Sequence, residues 1–218
     1  MGEDLTPVIV LGTGKHSEVV IEVIRAAACY QILGVVSSDP NAPEELFGCK
    51  HLGSFEVLQT LNKQSEIQVV NGLGGWTDLQ FRVDWYNKIK AWGYQFATII
   101  HPSAVIAEGV SIGEGTMIGS NVTVMTGAKI EKNVIVSSAS LVSHHTIIED
   151  HVLISGGVNI GAEVKINKQA IIAFSAVVNS RLEIGEKALV ATGAVAVKNV
   201  VAETTVMGIP AREVDVKR

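Results

Sequence analysis

From Ile100 onward, every sixth residue of this chain is isoleucine or valine. The series runs through Ile106, Ile112 and Ile118 to Ile184 and Val190, and only its last member, Ala196, departs. Four residues after each member stands a second series (Ala104, Val110, Thr116, Val122 and on to Val200), small or β-branched except at Leu182. A period of six keeps the two-residue alternation of a short strand and leaves room for a corner in every hexad. An α-helix would need apolar spacing near 3.6, which this ladder lacks. Three such edges close a triangular coil of about eighteen residues, in which equivalent positions stack. Residues 100–218 are therefore expected to form a parallel β-helix domain. The ladder never slips, so no long loop leaves the coils, and any site must lie on the coil surface or between subunits.

Residues 1–99 follow a different rhythm. Residues 7–12 are a short apolar run closed by glycine, as in a buried parallel strand. Residues 17–28 have the spacing of an amphipathic helix through Val20, Ile21, Val23 and Ile24. Residues 32–36 predict a second strand, ended by the turn-like Ser37-Ser38-Asp39-Pro40-Asn41. A helical stretch at residues 55–61, a strand at 68–70 and a helix at 79–92 complete an α/β domain with a small parallel sheet.

Composition limits what such a chain can do. Hydrophobic residues make up 47% and aromatic residues 5%, so the core is aliphatic. The formal charge of −5 leaves no basic footprint for nucleic acid. Cys29 and Cys49 are too few for a disulfide framework or a zinc motif, and no metal is expected. No apolar run has the length of a membrane span, and residues 1–7 lack a signal-peptide pattern. A cytoplasmic protein is the expectation.

A hexapeptide ladder behind a Rossmann-like domain resembles the nucleotide-sugar acetyltransferases. That family includes the UDP-bacillosamine N-acetyltransferase of protein glycosylation, perosamine N-acetyltransferases and sialic-acid O-acetyltransferases. The resemblance rests on Gly12-Thr-Gly-Lys-His16, Asn71-Gly-Leu-Gly-Gly75 with Arg82 downstream, Ile100-His-Pro-Ser-Ala104, Ser143-His144-His145-Thr-Ile-Ile and Gly208-Ile-Pro-Ala-Arg212. It implies that the β-helix is left-handed, that the protein is a homotrimer, and that acetyl-CoA, the acyl donor, lies between adjacent helices. The acceptor it implies is the amino group of a nucleotide-linked 4-amino-deoxysugar.

His144 stands at the third position of its hexad, away from the Ile/Val interior, and the resemblance makes it the catalytic base. An amine attacks a thioester only as its free base, and an imidazole can accept the proton near neutral pH. The next residue departs from the family, which usually has Glu or Asp where this chain has His145. A neutral histidine can accept a hydrogen bond but cannot stabilise an imidazolium as a carboxylate does. Glu149 or Asp150 is a candidate substitute.

The resemblance puts an oxyanion donor at the backbone N–H of Ala162, one coil beyond His144. No cysteine lies in the ladder, which favours direct attack over an acyl-enzyme. In Gly12-Thr-Gly14-Lys15-His16, the open N–H groups of a first helical turn suit a phosphate. The resemblance assigns Gly14, Lys15 and His16 to the diphosphate and Ser37 and Ser38 to the uridine or ribose end, where the family often has acids. An NAD site is disfavoured because Ser17 replaces the last glycine of the dinucleotide fingerprint.

Leu153, Phe174, Thr192 and Pro210 align with positions that border acetyl-CoA. Two other readings remain open: a sugar O-acetyltransferase and a non-catalytic hexapeptide-repeat binding protein. His51, His101 and His151 are expected to be structural or solvent-facing. Trp76, Trp85 and Trp92 are expected to pack within the helical stretch.

Overall fold

A computed structural model describes residues 5–61, 66–76 and 78–215. The start of the N-terminal stretch, residues 1–4, lies outside the described residues. The chain divides into two compact units, Met1–Ile100 and His101–Arg218.

The first unit is built on a parallel sheet of β1 (Thr6–Leu11), β2 (Tyr30–Val36), β5 (Gln68–Asn71) and β6 (Gln95–Phe96). A small antiparallel pair, β3 (Glu45–Leu46) and β4 (Cys49–Lys50), lies between β2 and β5 in sequence. Sheet order is β2-β1-β5-β6. Val8 to Leu11 are at most 1% exposed, which is why this strand reads as a continuous apolar run. Helix α1 (Lys15–Ala27) buries Val20, Ile21, Val23 and Ile24. It starts two residues before the expected Ser17, because Gly14 serves as the N-cap and Ser17 donates to the Gly72 carbonyl at 3.1 Å. Residues 55–60 form a 3-10 helix (Phe55–Thr60), and α2 is Gln80–Ala91.

Among the tryptophans, Trp85 and Trp92 pack against the core cluster of Ile9, Leu11, Phe55 and Tyr94. Trp76 differs from expectation. It sits in a bend before α2 and is 78% exposed.

The second unit is a left-handed β-solenoid of about six turns. Two-residue strands pair in parallel with partners eighteen residues away, as in Leu153↔Ile171 and Ile154↔Ile172. From Ile118 to Ala196, every member of the Ile/Val ladder is at most 1% exposed. The second series is interior as well: Val122, Ala128, Val134, Thr146 and Ala170 are fully buried. Small and β-branched side chains are needed there because the chain turns and interior space narrows. Fully burying each aliphatic side chain contributes roughly 1.5–3 kcal/mol. The coils end with strand Thr205–Met207, parallel to Leu189–Val190, and an antiparallel return at Arg212–Val214.

Candidate functional site

The first unit carries a cleft of about 450 Å³. Its walls come from the C-terminal ends of three strands: Gly12–Ser17 after β1, Ser37–Asp39 after β2 and Gly72–Gly74 after β5. With β1 between β2 and β5, the chain departs in opposite directions across the sheet at this point. That is the topological switch point, where open α/β sheets bind ligands. The cleft gathers all six residues expected to hold a nucleotide: Gly12, Gly14, Lys15, His16, Ser37 and Ser38.

Local chemistry explains the shape. Gly12 has φ +94, and a Cβ there would stand 2.9 Å from Ser17 Oγ and 3.0 Å from Leu73, so only glycine fits. A Cβ on Gly14 would meet nothing within 4 Å. No side chain caps the start of α1, which leaves backbone N–H groups of its first turn for an anion. Lys15 is 93% exposed and, among the described residues, pairs with Glu18 at 2.8 Å. Such a surface pair is worth little and yields readily to a phosphate.

His16 is half-buried, and its Nε2 is shielded with no hydrogen-bond partner among the described residues. Burial first, and then the Arg82 guanidinium, push its pKa down to about 4, so the ring is neutral at ordinary pH. Arg82 is 1% exposed and donates to the carbonyls of Asn71 (2.9 Å) and Leu73 (2.7 Å), which fixes the loop after β5. Burial lowers its pKa to about 9, and it remains a cation beneath the cleft loop.

The two serines differ. Ser37 is buried and accepts from Thr13 Oγ1 (3.1 Å) and the Asp39 N–H (3.2 Å), bracing one wall. Ser38 is open. The sequence reading passed over Phe55, Leu73 and Phe81, which form the apolar side of the cleft. Phe81 is 55% exposed, and helical spacing alone carries no signal that its ring borders a cleft.

In the second unit, His144 Nδ1 lies 3.0 Å from His145 Nδ1, with the rings at 82°. The corner is held from both sides. His145 N–H donates to the Thr126 carbonyl at 3.1 Å, and the His144 carbonyl accepts from Glu163 N–H at 3.0 Å. Buried Thr146 donates to the Gly161 carbonyl at 2.9 Å. The left-handed residue of the turn is His145 (φ 57), not His144. A Cβ on Gly127, one coil below, would stand 2.9 Å from the His145 ring, so that glycine makes room for it.

A contact between two Nδ1 atoms requires one donor and one acceptor. When His145 accepts, His144 is held as the Nδ1–H tautomer and its Nε2 lone pair is free. Glu149 and Asp150 do not complete the pair. Glu149 faces Lys165 at 3.4 Å; Asp150 faces Lys168 at 3.7 Å and accepts from Lys132 N–H at 3.1 Å. Both belong to the next edge and corner of the coil.

The Ala162 N–H is engaged: it donates to Ser180 Oγ at 3.0 Å. Phe174 (53% exposed) and Thr192 stack eighteen residues apart at a different corner from His144. Leu153 is 7% exposed, in an apolar stripe between Ile135 and Ile171. Pro210 is exposed in the turn between the last two strands. One chain therefore does not bring these four together with His144. His151 Nδ1 pairs with Asn133 at 2.9 Å and His101 Nδ1 with Ser103 at 2.8 Å, while His51 Nε2 is buried without a hydrogen-bond partner among the described residues. Among the described residues no cluster of His, Cys, Asp and Glu could hold a metal ion, and no helix is long and apolar enough to cross a membrane.

Residues 7–89 match the PglD N-terminal domain, and residues 97–126 and 109–144 match bacterial transferase hexapeptide repeats. No curated protein matches the chain by sequence. Among solved structures, the acetyltransferase domain of PglB from Neisseria gonorrhoeae, in complex with acetyl coenzyme A, superposes with a TM-score of 0.88 at 24% identity. The match covers 96% of this chain and 100% of that one. WeeI from Acinetobacter baumannii gives 0.85 at 24% identity, over 95% and 99% of the two chains. A variant of GDP-perosamine N-acetyl transferase from Caulobacter crescentus, in complex with CoA and GDP-perosamine, gives 0.82 at 22% identity, over 96% and 97%. The fold is thus shared along almost its whole length, and the sequence matches fall on its two parts, the PglD N-terminal domain in the first unit and the bacterial transferase hexapeptide repeats in the second.

Proposed function

We propose that this protein is an acetyl-CoA-dependent N-acetyltransferase acting on the amino group of a nucleotide-linked 4-amino-deoxysugar. The observation that carries the proposal is the His144–His145 contact at a corner of a transferase hexapeptide solenoid. The cleft of the first unit supports the nucleotide half. It offers a helix N-terminus, an exposed cation in Lys15 and a neutral imidazole, with a volume in the range of small-ligand sites. The solved relatives that hold acetyl coenzyme A, or CoA and GDP-perosamine, support the same pair of substrates.

In this reading His144 Nε2 accepts the proton of the attacking amine as nitrogen bonds to the thioester carbon. The carbonyl electrons move to oxygen, and the oxyanion then collapses with cleavage of the C–S bond. The CoA thiolate leaves and takes the proton back from His144, giving the amide and CoA thiol. His145 fixes the tautomer and orientation of His144. Phe174, Thr192, Leu153 and Pro210 stand apart from His144 in one chain, which favours acetyl-CoA bound between solenoids of a homotrimer.

The test is release of free CoA thiol from acetyl-CoA with UDP-, dTDP- and GDP-linked 4-amino sugars. One of them is expected to turn over, and His144→Ala is expected to lower its kcat by about 10²–10⁴-fold. No thiol release with any amino sugar, or wild-type turnover in His144→Ala, overturns the proposal.

A further inference from the structure

We infer that Ser180 is a catalytic residue whose hydroxyl, rather than the Ala162 N–H, donates to the oxyanion. The inference rests on the acyltransfer reading above and names a group that reading leaves out. His144, Ala162 and Ser180 occupy the same corner position in three successive coils, each eighteen residues from the last. Neighbouring coils stand ~4.8 Å apart, the spacing of adjacent strands. The amide expected to receive the negative oxygen is already spent, because it donates to Ser180 Oγ at 3.0 Å.

Ser180 is exposed and, among the described residues, donates its own proton to no protein acceptor. A hydroxyl that accepts a hydrogen bond becomes a better donor, since the chain of bonds polarises it. The arrangement Ala162 N–H to Ser180 Oγ, with Ser180 O–H pointing outward, thus extends the backbone donor by one hydroxyl. It needs no movement of the corner when charge develops, which is the condition for effective oxyanion stabilisation. Ser180 keeps its proton throughout. It holds the oxygen while the amine nitrogen bonds to carbon and until the C–S bond breaks.

The same contact has a purely structural counterpart one corner away, where Lys132 N–H donates to Asp150 across one coil. Experiment separates the two roles by sign. If Ser180 only plugs the amide, Ser180→Ala frees the Ala162 N–H and turnover stays level or rises. If it is the donor, Ser180→Ala lowers kcat by ~10²-fold, the usual loss of one oxyanion donor. The KM for acetyl-CoA then changes by less than about twofold, because a donor acting only in the transition state leaves ground-state binding intact. Ser180→Thr, which keeps the hydroxyl, is expected to retain most of the activity.

Alanine already occupies this corner at Ala162, so the Ser180→Ala fold is expected to be intact, and its melting temperature checks that. Wild-type-level or faster turnover in Ser180→Ala overturns the inference. A wild-type protein that releases no thiol with any amino sugar overturns the acyltransfer reading first, and this inference with it.

Discussion

At the scale of single residues, the chemistry of the corner depends on which nitrogen of His144 carries the proton. A carboxylate beside a histidine both orients the ring and stabilises its charged form, whereas a neutral imidazole does only the first. Removing the acceptor in His145→Ala costs one hydrogen bond, ~0.5–1.5 kcal/mol, and is expected to lower kcat by up to about tenfold. His145→Glu is expected to turn over faster than the wild type, measured as thiol release at saturating substrates. A second prediction concerns His16. Its imidazole titrates near 4 in the folded chain against a reference value of 6.5, so between these values the unfolded chain binds more protons. The stability contributed by the neutral ring is complete above pH 6.5 and is lost as pH falls toward 4. Melting temperatures across that window are expected to fall more steeply for the wild type than for His16→Gln.

At the scale of elements, the turn from β1 to α1 contains two glycines with different duties. Gly12 sits at positive φ against Ser17 and Leu73, so Gly12→Ala is expected to lower the melting temperature. Gly14 faces open space, so Gly14→Ala is expected to fold normally and to weaken nucleoside diphosphate binding in calorimetry, because the added methyl enters the cleft. In the solenoid each hexad from Ile118 on buries one member of the Ile/Val ladder beside the smaller second series. Ile160 is 1% exposed, and Ile160→Ala is expected to cost about 2–5 kcal/mol in denaturant unfolding, the range for a large-to-small core change. Ile106 is only half-buried in the first coil, and Ile106→Ala is expected to cost less.

At the scale of the whole molecule, the solenoid presents His144 at one corner and Phe174 with Thr192 at another. Rotational symmetry can place unlike corners of adjacent copies face to face, which a single chain cannot do. Light scattering is expected to give three times the chain mass. A catalytically active monomer would rule out a site shared between copies.

The ladder was legible in the sequence because a strict period of six is a local property, and burying every sixth aliphatic side chain leaves one solution. The strand-glycine-helix passage at Gly12–Ser17 was legible for a similar reason, since apolar runs and turn residues act on their immediate neighbours. Residues that only meet in space were not. The cleft exists because β1 lies between β2 and β5, an order that no spacing encodes, and so Phe55, Leu73 and Phe81 went unnoticed. The Nδ1 contact of His144 and His145, the lysines that occupy Glu149 and Asp150, and the hydroxyl on the Ala162 amide depend on rotamers and on neighbours eighteen residues away. Periodicity determined the frame; hydrogen bonding between coils, a tertiary matter, decided which groups at its corner are free to act.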